Sequence, residues 1–173
     1  LDLRDAKPSQ GIGNKAQKLY FLAKKGFRTP PTWVCTWDAY HHYLEGETRI
    51  IDAVRSEIAS TVDPDQGYAI RSSANVEDSQ ERSFAGQFKS VLNVQGVDNI
   101  FQAVWAIWAT VTSNNVQAYL QKHGLSVHEL LMAVIIQQMI TPVYAGVALS
   151  RNPVTGADEI VVEAVKGTGD VLV

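Results

Sequence analysis

Residues 68–78 read YAIRSSANVED, and SFAGQ follows at 83–87. An apolar run short enough for a strand delivers Arg71, then small hydroxyl residues, an acidic pair and a glycine turn. Arg71 offers a planar five-donor fork for phosphate oxygens, while Ser83, Gly86 and neighbouring backbone amides can cradle a polyphosphate without steric interference. The same residues also suit a β-hairpin in which Arg71 pairs with Glu77 or Asp78 at the surface. Local chemistry leaves both open.

The longer string RSSANVEDSQERSFAGQ, residues 71–87, resembles the RSSATxED…SFAGQ signature of the nucleotide-binding domain of the phosphoenolpyruvate synthase and pyruvate phosphate dikinase family. Four further stretches fall in the family's order. GIGNKAQKL (11–19) is similar to GGKxxxL, VIIQQMI (134–140) to VxVQxMV, AGVALSRNPVTG (145–156) to aGVxFTxdPxTG, and VVEAVKGTGD (161–170) to xxEAxxGLGE. Five motifs in order over nearly the whole chain make the match specific.

The resemblance implies an α+β, ATP-grasp-like nucleotide-binding domain with a mainly antiparallel sheet and packed helices, incomplete at its C-terminal end. Its lobes would be residues 1–125, with the Lys15 helix and the RSSA/SFAGQ phosphate loop, and 126–173, with the adenine hinge and the metal strands. The family's reaction splits ATP to AMP and passes the β-phosphoryl group to a histidine on a separate carrier domain. That domain and the acceptor-binding domain would be partners absent from this chain. On the same resemblance Arg71 and Lys15 are catalytic, Ser83, Gly86 and Gln87 hold the phosphate chain, and Gln137, Met139 and Ile140 border the adenine. Glu163 and Asp170 would bind Mg²⁺.

Each of these residues has a plainer reading. Lys15, just past two glycines at a helix start, can approach phosphate as a mobile point charge or be a solvated surface lysine. Gln137 and Gln138 suit an adenine hinge, where backbone groups read the ring edge, or an edge strand with two outward glutamines. Glu163 closes an apolar strand and is either a magnesium carboxylate or a salt-bridged strand end. Several positions depart from the family pattern: Asn14 for the second glycine, Asn152 for aspartate, Lys166 and Thr168 where the last motif usually has an uncharged residue and leucine, and Asp170 for glutamate. A non-catalytic nucleotide-binding or interaction module that kept the fold is therefore the alternative, and an inactive fragment of a full enzyme is a third possibility.

Composition excludes several classes. A 173-residue chain with 46% hydrophobic and 19% charged residues suits one globular domain or two small lobes. A net charge of −3, without a basic run interleaved with aromatics, gives no reason to expect nucleic acid. The single cysteine, Cys35, excludes an internal disulfide and reads as a buried small hydrophobe. No apolar run is long enough to span a bilayer, which predicts a soluble, cytoplasmic protein without a membrane partner. His41, His42, His123 and His128 form no recognisable ligand set.

Periodicity predicts helices along Ala16–Ala23, Trp37–Leu44 and Ile51–Ile58, one from about Asp98 through Val111, and one along Val116–His123. Strands are predicted at 32–36, 68–72, 90–94, 132–140, 145–149 and 159–164. The short links between the last three predict one antiparallel unit. A helix-rich first part and a strand-rich last part suggest α+β layering. The aromatic stripe Phe101, Trp105 and Trp108 has the spacing of core residues rather than of a ligand shelf. Ser126 and Glu129 have capping-box spacing.

Overall fold

The computed structural model describes residues 1–5, 11–76 and 88–169. The chain is α+β, with helices α1 (Gly13–Lys24), α2 (Trp37–Leu44), α3 (Thr48–Thr61), α4 (Val97–Thr110) and α5 (Asn114–Lys122). Its strands are β1 (Thr32–Cys35), β2 (Tyr68–Ala74), β3 (Ser90–Val94), β4 (Met132–Gln138), β5 (Tyr144–Leu149) and β6 (Val161–Lys166). Both sheets are antiparallel. The first has strand order β1-β4-β2-β3, and the second is the β5-β6 pair.

Strand position follows from side-chain chemistry. MAVIIQQ in β4 and YAIRSSA in β2 are buried on both faces almost throughout, so these two strands take the interior of the sheet. They pair along seven residues, from Tyr68 opposite Gln138 to Ala74 opposite Met132. One face of the sheet packs against α2, α3 and α4 through a core that includes Tyr40, Ile58, Ile70, Ile107, Trp108 and Val134. The other face carries α1 and a smaller cluster of Leu3, Ile12, Ala16, Val34, Ala133 and Ile135.

α4 shows why the aromatic stripe belongs to the core. Asp98 sits in its first turn, and Ile100, Phe101, Ala103, Val104, Ile107 and Trp108 form its buried face. The Trp108 ring stacks at a tilt with Tyr43 and Trp105, at centroid distances of 5.1 and 5.2 Å. Its indole N–H donates to the Met132 carbonyl at 3.2 Å, so a fully buried polar atom is satisfied. The capping box is present as well: Glu129 accepts from the Ser126 amide at 2.7 Å, starting a 3-10 turn at Val127–Glu129. Among the described residues no helix is long and apolar enough to cross a membrane.

Two expectations are corrected. The last three strands do not form one unit, because β4, apolar on both faces, is drawn between β1 and β2, while among the described residues β5 and β6 pair only with each other. The final strand is Val161–Lys166 rather than 159–164, so Glu163 is a mid-strand residue opposite Val147, not a strand end. The chain divides into compact units Leu1–Met139 and Ile140–Val173. β4 belongs to the first of these units with the strands it bonds.

Candidate phosphate and nucleotide site

The start of α1 is seated directly on the end of β2. Gly13 has φ of +74°, and a Cβ there would overlap the Ser73 carbonyl, so only glycine allows this approach. Ile12, which precedes the helix, provides no side-chain cap. The fully buried Ser73 hydroxyl supplies one from across the interface: it donates to the Ile12 carbonyl at 2.9 Å and accepts from the Ala16 amide at 3.0 Å. The small hydroxyl residue of RSSA is therefore a helix anchor.

Lys15 follows in the same turn. Its Nζ donates to the Ser72 carbonyl at 3.0 Å, which brings the ammonium one residue along β2 from Arg71. Arg71 lies opposite Ile135 and Ser90 and is half-buried. Strand alternation puts its side chain on the same face as Ser73, the face that carries α1. Lys15 and Arg71, from separate motifs, therefore lie on one face of the sheet, Lys15 in the first turn of α1, whose amides carry partial positive charge.

On that same face Gln137 stands opposite Ala69. It is buried, and its amide donates to Thr32 Oγ1 at 3.0 Å, which in turn donates to the Pro30 carbonyl at 2.8 Å. The edge-strand alternative with two outward glutamines is excluded, since β4 is an interior strand. Just beyond it the Met139 amide donates to the Gly67 carbonyl at 2.8 Å. Ile140 is exposed and begins the second unit.

In the second unit Glu163 is exposed near the middle of β6. Gly146 sits diagonally across, where a Cβ would come within 2.5 Å of the Glu163 carbonyl, so the glycine of AGVALS allows close strand approach. Among the described residues no ion pair engages the Glu163 carboxylate, which does not support the salt-bridged alternative. Its carboxylate is a hard oxygen donor, the ligand type that magnesium takes.

The Asn152 turn explains one departure. Its Oδ1 accepts from the amides of Val154 and Thr155 at 2.9 and 3.0 Å, and its Nδ2 donates to Glu159. An aspartate could not make the last bond. Ser83, Gly86, Gln87 and Asp170 lie outside the described residues, as do Glu77 and Asp78, the proposed surface partners of Arg71.

Cys35 is half-buried, and burial pushes its thiol up to about 12. It lines an apolar cavity of about 310 Å³ with Trp33, Val54, Ile58 and Ile136, and so behaves as a small hydrophobe. His42 stands beside Glu47 and Glu45 on an exposed surface.

The sequence reading missed Asn75. It follows β2, and its backbone and side chain together bond to Asn14, Glu129 and Leu131. No periodicity marks such a residue; its place between RSSA and the acidic pair is the sole signal.

The profile of the family "Pyruvate phosphate dikinase, AMP/ATP-binding domain" matches residues 47–173, a span that includes Arg71 and begins after Lys15. Phosphoenolpyruvate synthase of Aeropyrum pernix is 28% identical over 94% of this chain and 25% of its own length. The uncharacterized phosphotransferase YvkC of Bacillus subtilis is 30% identical over 95% of this chain and 22% of its own. Rifampicin phosphotransferase of Streptomyces sviceus is 30% identical over 100% of this chain and 25% of its own. The chain spans about a quarter of the length of these relatives.

Proposed function

Since the chain belongs to the family of the pyruvate phosphate dikinase AMP/ATP-binding domain, we propose that it binds Mg-ATP in an ATP-grasp-like manner and passes the β-phosphoryl group to a histidine on a separate domain. The observation that carries this is the Lys15 ammonium held at 3.0 Å on the Ser72 carbonyl, one residue from Arg71. Charge on a transferring phosphoryl group is stabilised most by donors already fixed before the reaction. Arg71 would grip two phosphate oxygens with its fork, and Lys15 would supply a point charge beside them.

The α1 amides, with Ser83, Gly86 and Gln87, would hold the rest of the phosphate chain. At the adenine the Met139 carbonyl has a lone pair to accept from the exocyclic amine, while Gln137 keeps β4 in place and Ile140 offers an apolar surface. Glu163 and Asp170 would hold Mg²⁺, which supplies charge neutralisation between the phosphates when bound. The carrier histidine and the acceptor site would belong to further domains, and the isolated chain would not turn over.

One observation favours the non-catalytic alternative: Asn152 is committed to a structural turn where the family signature has a carboxylate. Isothermal titration of the folded chain with ATP, with and without Mg²⁺, tests nucleotide binding. Weak binding that strengthens with Mg²⁺ is expected, because ordering of the site opposes the contacts formed. No heat at millimolar nucleotide overturns the nucleotide proposal.

A further inference from the structure

Two departures from the family signatures touch one another. Asn14 occupies the glycine position before Lys15, and Asn75 the threonine position after RSSA. The Asn14 side-chain amide donates to the Asn75 carbonyl at 3.0 Å. Asn75 is itself held from three directions: its Nδ2 donates to the Glu129 carbonyl at 2.8 Å, its Oδ1 accepts from the Leu131 amide at 3.0 Å, and its own amide donates to the Leu131 carbonyl at 3.1 Å. One asparagine pair therefore ties together the first turn of α1, the end of β2 and the segment entering β4.

We infer that Asn14 and Asn75 form a clamp of positioning residues that fixes the Lys15 ammonium beside Arg71. This rests on the nucleotide proposal above and assigns to that site the residues that preorganise its cation. The physical reason lies in the helix end. First turns fray, and rotation of the turn about the helix axis swings whatever residue 15 carries. Ser73 and Gly13 set how closely α1 approaches β2, but both act near the axis. The Asn14 bond acts off the axis, on the residue next to Lys15, and so resists that rotation. Asn75 can serve as the anchor because its own bonds join it to Glu129 and Leu131, in the segment that leads into β4, an interior strand buried along nearly all its length.

A glycine at 14 removes the side-chain bond. A threonine at 75 keeps the backbone carbonyl but loses the amide that reaches Glu129. The test uses the 173-residue chain as Asn14→Gly, Asn75→Thr and the double variant, titrated with Mg-ATP and separately with adenosine. Loss of one fixed hydrogen bond should weaken ATP binding about fivefold in each single variant. Adenosine binding should not change, because it lacks the phosphates that Lys15 meets. The double variant should be little worse than either single one, since both break the same clamp.

Equal loss for ATP and adenosine, no loss for either, or a double variant equal to the product of the singles would overturn the clamp. A second arm uses no nucleotide: exchange of the Ala16 amide, bonded to the Ser73 hydroxyl, should quicken several-fold in each variant, and unchanged exchange also overturns it. If the wild-type chain binds no ATP, the nucleotide proposal fails, and this exchange arm still decides the clamp.

Discussion

Arg71 and Lys15 carry different halves of the proposed chemistry. Arg71 is attached to an interior strand and can present two parallel N–H bonds, whereas Lys15 ends in a compact ammonium held by a backbone carbonyl. In a protein that includes the carrier domain, Arg71→Ala is expected to lower phosphohistidine formation by roughly two orders of magnitude or more, the scale of losing one preorganised donor. Arg71→Lys should recover little of it. Wild-type rates in both variants would reduce Arg71 to a structural residue.

Cys35 and Tyr40 set a different residue-scale expectation. Burial is the main cause that pushes each up to about 12, from ordinary values of 9.0 and 10.0, with the neighbouring Tyr43 adding to Tyr40. An acid whose folded pKa is raised contributes stability that is fully present below its unfolded pKa. That stability is lost as pH rises from about 9 toward 12. Urea unfolding across that range should show falling stability in the wild type and a shallower fall in Cys35→Ala and Tyr40→Phe. An identical slope in all three would show that these groups do not control the alkaline limb.

At the scale of the element, α1 depends on contact with β2 more than on its own sequence, since its cap is the Ser73 hydroxyl. Gly13→Ala therefore meets two penalties, a left-handed backbone and an overlap with Ser73, and should cost roughly 2–4 kcal/mol. Gly26 is the control. Its φ of +83° is similar, but nothing lies within 4 Å of an added Cβ, so Gly26→Ala should cost only about 1–2 kcal/mol. Urea midpoints of the two variants, compared at constant m, measure the difference; equal losses would mean that close approach contributes nothing. α4 shows the opposite balance. Its stripe of Ile100, Phe101, Val104 and Trp108 already announces a buried face, and the structure adds the partners, α3 and the sheet strands β2, β3 and β4.

At the scale of the whole molecule the two compact units differ in how much each buries. The first has a sheet covered by helices on both faces, whereas the second is a two-stranded pair that leaves Tyr144, Val147 and Val162 exposed. A lone pair of strands is marginal in water. Amides of β5 and β6 should exchange orders of magnitude faster than those of β2 and β4, and limited proteolysis should first remove segments after Met139. Equal protection in both sheets would contradict this. The isolated chain should also form no phosphoenzyme. After incubation with ATP labelled at the β-phosphate, near-stoichiometric label on His41, His42, His123 or His128 would overturn a mechanism divided between domains.

The sequence by itself determined the α+β class, the helical stripes and the family, because periodicity and ordered motifs are local patterns that chain neighbours carry on their own. What it could not place were partners distant along the chain. β4 lies between β1 and β2 only because burial on both faces decides strand order, and alternation along one strand does not specify its neighbours. Ser73 as the cap of α1, Asn75 as its anchor and Asn152 as a turn former were equally invisible, since each bonds to groups whose positions exist only after the chain has folded. Hydrogen bonding is a matter of distance and direction in space, and tertiary structure alone decided it.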